Sequence, residues 1–298
     1  MSQAKRTTKK AGLFQMNHSL GQNMLKSKLV VKNIVDNGEP RPGDVILEIG
    51  PGVGNMTQDM ISRGCNVIAV EKDPRMVVEL NKRFHNNPQI MIKHADILTV
   101  DLPQFDLCIS NIPYNISSAI VFKLLMNLNN CKFRRAVLMV QKEFADRIVA
   151  RPGTENWGRL AINTQLFANV RQVMSVSRKN FVPAPKVDSA VITIQPRENI
   201  PDIDFAEWDG LIKLCFARPN RTLQATFKKK KTLAMLEKNR ADFMALHPEI
   251  QVPNITIHDF MQGILANAMI QEQRPIHLDI EDFLGILNQC NEGGLHFK

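Results

Sequence analysis

The strongest constraint on the fold of this 298-residue chain is a recurring pattern in its first half. Short apolar runs are separated by stretches of helical periodicity. The runs are VILEI (45–49), NVIAVE (66–71), QIMIKHAD (89–96), FDLCIS (105–110) and AVLMVQ (136–141). Runs this short, rich in Val and Ile and bounded by turn residues, read as strands. Before and between them, KSKLVVKNIVDN (26–37), NMTQDMIS (55–62), a segment from Pro74 to about Asn86, and SSAIVFKLLMNL (117–128) have helical spacing. Pro74 suits a first helical turn, where its missing N–H leaves no bond unmade. Ser117 or Ser118 is the expected N-cap of the last of these helices. Strands that alternate with crossover helices form a mostly parallel sheet covered by helices. The fold class is α/β.

The pattern changes in the second half. RPGTENWG (151–158) reads as a loop. A helix follows at about 159–168, a strand-like stretch at 170–177, the segment NFVPAPKVDS (180–189) and a strand at 190–195. The polar stretch PRENIPD (196–202) marks a boundary. Beyond it DFAEWDGLIKLCFA, TLQATFKKKKTLAMLEK, HDFMQGILANAM and DIEDFLGILNQ all fit helical spacing. The expected organisation is a basic flexible tail (1–12), an α/β domain (13–198) and a smaller all-helical C-terminal domain (199–298).

Hydrophobic residues make up 44% of the chain and charged residues 22%, ordinary for a globular protein. The net charge of +9 favours a polyanionic partner such as nucleic acid, or an acidic membrane surface. No apolar run reaches the roughly 18 residues of a membrane span, so no membrane role is expected. The five cysteines are widely spaced with no CxxC pair, which argues for free thiols in a reducing compartment. The histidines are scattered too. Only His94 and Asp96 lie close, and two residues do not make a metal site. No metal is expected. MSQAKRTTKKAGLFQM lacks the apolar core of a secretory signal. Its Lys5, Arg6, Lys9 and Lys10 fit a nuclear signal, an RNA-contacting arm or a solvated tail equally well.

Chemistry enters with Glu48-Ile49-Gly50-Pro51-Gly52-Val53-Gly54, directly after the first of the five runs. Gly50 and Gly52 allow a tight turn and close approach of a ligand to the backbone. The spacing is G-x-G-x-G rather than the dinucleotide G-x-G-x-x-G. Glu48 at the loop's edge would oppose a pyrophosphate. The ligand should therefore lack phosphate and carry positive charge. S-adenosylmethionine, with a sulfonium and an ammonium, meets both conditions. Glu71 ends the next strand about 20 residues on, where an acid commonly takes ribose hydroxyls. Asp96 ends the third, placed to accept from the adenine 6-amino group.

The fourth strand ends in Asn111-Ile112-Pro113-Tyr114, which holds the chain's only tyrosine. Asn111 thus faces the same crevice. An aromatic amine is a poor nucleophile because its lone pair is conjugated with the ring. Accepting its protons, through the Asn111 side-chain oxygen and the Ile112 carbonyl, holds the nitrogen and favours its pyramidal form. Pro113 stiffens the turn and adds no competing donor. Tyr114 offers a flat face for stacking a base, worth about 1–3 kcal/mol. No strong general base is required, because the nitrogen becomes acidic once methylated, so positioning dominates.

Together EIGPGVGNMT, Glu71, Asp96 and NIPY resemble the ribosomal RNA adenine dimethyltransferases. So do LGQNML (20–25), QKEFADRIVARPG (141–153) and NFVPAPKVDS, and the likeness runs from about residue 13 to the C-terminus. EWDGLIKLCFARPNRTLQATF (207–227) and GLHFK (294–298) look most like the eukaryotic branch, Dim1. Within this likeness Trp157 stands where a tyrosine is expected. The resemblance implies a Rossmann-like S-adenosylmethionine-dependent methyltransferase domain followed by the helical domain. It implies dimethylation of two adjacent adenosines near the 3′ end of small-subunit rRNA, with a role in ribosome biogenesis. It also implies that Asn23 and Leu25 line the methionine end of the cofactor, that Gly50 contacts it through the backbone, and that Glu71 and Asp96 take its ribose and adenine. Asn111 and Tyr114 would hold the target base, with Asn111 also bordering the cofactor. Phe181, read as an exposed platform in a Pro-rich loop, would stack on the other face of the base. The expected partners are small-subunit rRNA and the pre-ribosomal particle, for a monomeric enzyme of the nucleus or nucleolus and also the cytoplasm.

Other readings follow from the same residues. Methylation of a protein amide or DNA adenine usually goes with Asn-Pro-Pro-Tyr, and Ile112 argues against it. A non-catalytic RNA-binding assembly factor, or an organellar transcription factor on the same fold, would be expected to have lost the acids or Asn111. An organelle-targeted form should also carry a longer leader rich in Arg and Ser. The run Lys228–Lys231, preceded by Arg218 and Arg221, reads as an rRNA-backbone contact on a basic helix.

Overall fold

The computed structural model describes residues 24–298. The expected tail (1–12) and Asn23 lie outside the described residues. The elements of the first half are β1 (Met24–Leu25), α1 (Lys28–Asp36), β2 (Val45–Ile49), α2 (Asn55–Ser62), β3 (Asn66–Glu71), α3 (Pro74–Arg83), β4 (Ile90–His94), β5 (Leu107–Asn111), α4 (Ser117–Met126), β6 (Arg135–Gln141) and α5 (Lys142–Ile148). Then come α6 (Arg159–Phe167), β7 (Ala168–Val176), β8 (Phe181–Val182) and β9 (Ser189–Pro196). The remainder is helical: α7 (Phe205–Phe216), α8 (Leu223–Phe227), α9 (Lys230–Leu246), α10 (Ile257–Asn267) and α11 (Ile280–Glu292).

Local chemistry accounts for most of the boundaries. The Ser27 hydroxyl accepts from the Val30 N–H at the start of α1, whose Val31, Ile34 and Val35 are buried. Asp73 caps α3 by accepting from the Arg75 N–H, with Pro74 at the first helical position. The serine cap expected for α4 is absent. A 3₁₀ turn, Tyr114–Ile116, runs straight into that helix, and the Ser117 hydroxyl instead donates to the Tyr114 carbonyl at 3.1 Å.

The seven-stranded sheet has the order β4-β3-β2-β5-β6-β9-β7. The first five strands are parallel, with Val45 beside Asn66 and Leu107 beside Arg135. From β2 the chain winds outward through β3 and β4, then returns to place β5 on the other side of β2. This reversal leaves a crevice at the carboxyl ends of β2 and β5, where ligands bind in such sheets. A separate pair, β1 with β8, sets Leu25 opposite Phe181.

The described residues divide into two compact units, one of residues 24–142 and 173–193, the other of 143–172 and 194–298. The second is therefore not only the C-terminal helices. It includes α5 and α6, which sequence reading grouped with the α/β domain. The reason is visible in its core. Trp157, Ile162 and Leu166 pack in one cluster with Trp208, Leu211, Phe227 and Phe283. The Trp208 indole N–H donates to Asn163 Oδ1 at 3.0 Å, and the Trp157 indole N–H to the Leu278 carbonyl at 2.9 Å. Buried indoles need such partners, which fixes these segments to one another.

One expected helix is two. TLQATFKKKKTLAMLEK breaks at Lys228–Lys229, where Lys229 is extended. Phe227 and Leu236 are both fully buried in the same cluster. Nine residues apart, they would lie on opposite faces of an unbroken helix. The break brings both into one core.

Candidate active site

A cavity of about 300 Å³ lies at the carboxyl ends of β2, β3 and β5, within the first unit. Leu25, Glu48, Gly50, Gly52, Glu71, Asp96, Asn111, Ile112, Pro113 and Tyr114 all line it. Leu25 comes from the antiparallel β1–β8 pair, and the others meet because each lies at or just beyond the carboxyl end of a parallel strand.

The glycine loop is held at both ends. The Gly50 N–H donates to the Val70 carbonyl at 2.9 Å, and the Gly54 N–H to that of Pro51 at 3.0 Å. Gly50, Gly52 and Gly54 have φ of 65°, 58° and 81°, a region costly for residues with a Cβ. Gly52 and Gly54 serve different ends. A Cβ on Gly52 would meet no protein atom within 4 Å, so the backbone there is open to a ligand. A Cβ on Gly54 would lie 2.5 Å from Phe84 Cε2, so that glycine lets α2 and α3 pack closely.

Four carboxylates line the cavity; Asp73 is ion-paired to Arg75, and the other three differ in state. Glu71 accepts from the Asp73 N–H at 2.8 Å through one oxygen and from the Gly52 N–H at 3.2 Å through the other. Burial pushes its carboxyl up, against those backbone bonds. Each oxygen keeps a lone pair for a diol hydroxyl. Asp96 accepts from Lys72 Nζ at 2.7 Å and the Leu98 N–H at 3.0 Å. The Lys72 bond holds its carboxyl below the usual range, so it remains an acceptor. Glu48 is almost fully buried, at 1% exposure, and takes the Thr57 hydroxyl at 2.5 Å. Burial raises its pKa to about 8. Sequence reasoning used Glu48 to exclude phosphate but did not place it in the site. Its position at the end of β2, one residue before the loop, was the available signal. Val70 and Ile97, beside Glu71 and Asp96, also line the cavity and were not singled out.

At β5 the Ser110 hydroxyl accepts from the Ile49 N–H at 2.8 Å, tying the glycine strand to the Asn111 strand at the crevice. Asn111 is half-buried and Ile112 buried. Pro113 has φ −59° and ψ 130°, and its ring lies on the Gly50 side of the turn. The Tyr114 hydroxyl lies 2.6 Å from the buried Ser189 hydroxyl at the start of β9. Burial raises the phenol's pKa, and the Ser189 bond opposes that rise.

Phe181 is a correction. It is not an exposed platform but 2% exposed, packed in the core cluster with Leu25, Ile34 and Val176, and it does not line the cavity. Successive strand residues point to opposite faces. In β8 the large ring takes the inner side, and its neighbour Val182 is the exposed one.

These residues suit S-adenosylmethionine. Carboxylates rather than cations dominate the cavity wall, the backbone at Gly52 is open, and Glu71 retains acceptors for a ribose diol. A doubly wound sheet with this loop and these strand-end acids defines an S-adenosylmethionine-dependent methyltransferase of the Rossmann-like class. The family follows from comparison with known proteins. A family model described as ribosomal RNA adenine dimethylase matches residues 13–278, and the chain belongs to that family. It is 43% identical over 297 residues to a dimethyladenosine transferase of Yarrowia lipolytica, covering 97% of this chain and 93% of the relative. Against one from Saccharomyces cerevisiae it is 40% identical over 297 residues, covering 97% and 92%. Its structure is similar to the crystal structure of a dimethyladenosine transferase from Plasmodium falciparum. There the TM-score is 0.85 at 37% identity, covering 92% of this chain and all of the other. The 23S rRNA methyltransferase ErmE is more distant, with a TM-score of 0.65 at 26% identity over 90% of this chain and 100% of that one. The protein is an S-adenosylmethionine-dependent rRNA adenine dimethyltransferase.

Proposed function

We propose that the protein methylates the 6-amino groups of two adjacent adenosines near the 3′ end of small-subunit rRNA, and that it does so during small-subunit biogenesis. The observation that carries this reading is the meeting of the Asn111–Tyr114 turn with Glu71 and Asp96 around one cavity. When bound, S-adenosylmethionine supplies an electrophilic methyl group on a sulfonium. Glu71 and Leu25 orient that ligand. Asn111 Oδ1 and the Ile112 carbonyl accept the protons of the target amine, holding its nitrogen lone pair toward the methyl group. Pro113 keeps the turn rigid, and Tyr114 stacks on the base. After transfer the methylated nitrogen loses its proton to water. With Phe181 in the core, the second face of the base needs another support.

In the second unit Lys229 lies near Arg218 and Arg221, a cationic group suited to an rRNA backbone, and it belongs to the sequence run Lys228–Lys231. Burial, together with Arg218 and Arg221, holds the Lys229 ammonium below its usual pKa, so an incoming phosphate would relieve repulsion there. We infer a monomer that works in the nucleus or nucleolus and also in the cytoplasm, where pre-ribosomal particles mature.

The test combines purified protein, labelled S-adenosylmethionine and immature small-subunit particles that lack the modification. Digestion and mass spectrometry should show dimethyladenosine. Asn111→Ala should lower transfer at least 100-fold, on the order expected when a positioning contact is lost, with cofactor binding largely kept. Particle binding without dimethyladenosine would favour the assembly-factor reading. Equal loss of cofactor binding in Asn111→Ala would reject the amine-acceptor role.

A further inference from the structure

Four carboxylates line the cavity, and Glu48 is the most buried of them, with no ion pair among the described residues. Asp73 is ion-paired to Arg75 and Asp96 to Lys72, and Glu71 accepts the backbone N–H groups of Gly52 and Asp73. Glu48 is buried, and among the described residues no cationic side chain forms an ion pair with it. The groups around it can be named element by element. From α2, Thr57 donates its hydroxyl and its backbone N–H to the carboxyl. From β3, Glu71 adds a like charge. From β5 come the neutral Cys108 thiol, which burial pushes up to about 12, and the Ser110 hydroxyl bonded to it. From α3, Arg83 attracts from a distance but donates to the Val53 carbonyl at 2.6 Å and to Asn55 Oδ1 at 3.0 Å instead. A buried carboxylate in these surroundings is costly unless a cation arrives.

The cofactor of this family carries two cations, its sulfonium and its ammonium. We infer that Glu48 is a proton-linked counter-charge of the cofactor site, protonated in the ligand-free protein and releasing its proton to water when a cationic S-adenosyl ligand fills the cavity. Proton balance is simple: the carboxylic acid becomes carboxylate plus one solvated proton, and the ligand's own cations are unchanged. Below the free-state pKa of about 8, binding then releases a proton and tightens as pH rises. Above it the carboxyl is already ionised, and the dependence vanishes. The inference rests on the cofactor assignment and concerns only how the site's charge is handled.

Calorimetric titration with S-adenosylmethionine in buffers of different ionisation enthalpy tests it on the unmodified protein. Near pH 6.5 the buffer dependence should report close to one proton released per ligand bound. Linkage predicts that affinity rises on the order of tenfold between about pH 6.0 and about pH 7.5. Glu48→Gln, the same size as the protonated acid, should abolish both effects while still binding. Binding without proton release in the unmodified protein would overturn the inference. Unchanged release in Glu48→Gln would overturn it too and move the proton to Glu71. Failure to bind at any pH would instead reject the cofactor assignment itself.

Discussion

Tyr114 and Ser189 lie 75 residues apart, and their hydroxyls are 2.6 Å apart. Ser189 touches neither the cavity nor the expected cofactor contacts, so it acts through the ring it holds. Since the chain has one tyrosine, tyrosinate absorbance reports Tyr114 alone. Ser189→Ala should move that titration upward, because the Ser189 bond opposes the rise caused by burial. The stability loss should be about 1 kcal/mol, the usual net worth of one hydrogen bond. KM for RNA should rise several-fold, with cofactor affinity unchanged. An unmoved titration would mean that Ser189 is merely packed nearby. At this scale the sequence was most legible where a residue's place followed from its strand end. Glu71, Asp96 and Asn111 all line the cavity for that reason. Phe181 was misread because a Pro-rich neighbourhood suggested exposure, whereas a two-residue pairing with Met24–Leu25 turns the ring inward. Nothing local in NFVPAPKVDS encodes that partner.

Among the elements, the glycine loop separates two costs that look alike in sequence. Gly54→Ala brings a Cβ within 2.5 Å of Phe84 and 3.0 Å of Leu80 at a positive φ. Left-handed strain of roughly 1 kcal/mol and overpacking of about 1–3 kcal/mol add to an expected loss of about 2–4 kcal/mol. Urea denaturation should read it as a lower midpoint. Gly52→Ala meets open space, so strain alone, about 1 kcal/mol, should appear in the melt. Its methyl group would occupy the ligand's side of the loop and should weaken S-adenosylmethionine binding at least tenfold. Equal stability losses in the two variants would contradict this division. The strands and helices around the loop were readable because turn residues punctuate them. The α8–α9 break was not, since a run of four lysines has no breaker and is compatible with helix. Only the shared burial of Phe227 and Leu236 explains it, and that is a tertiary fact.

For the molecule as a whole, the boundary that composition suggested at about residue 199 cuts through a core. Residues 199–298 alone would lack Trp157, Ile162 and Leu166, all buried against Trp208, Leu211 and Phe283. Each such side chain contributes about 1.5–3 kcal/mol by burial, so their sum rivals the roughly 5–15 kcal/mol that holds a whole domain. The Trp208 indole would also lose Asn163, and Asp209 would lose both Arg159 and Asn163. What the fragment keeps is a latch at the other end. The buried Glu207 carboxylate accepts the Phe297 N–H at 2.6 Å and lies 3.1 Å from His296 Nδ1. One latch does not replace half of a core wall. A fragment of residues 199–298 should therefore show helical far-ultraviolet dichroism but little near-ultraviolet signal from Trp208, and no cooperative melt. Adding residues 143–172 in trans should restore the near-ultraviolet signal. A cooperative transition in the fragment alone would mean that α7–α11 form a self-sufficient core and that α5 and α6 only lean on it.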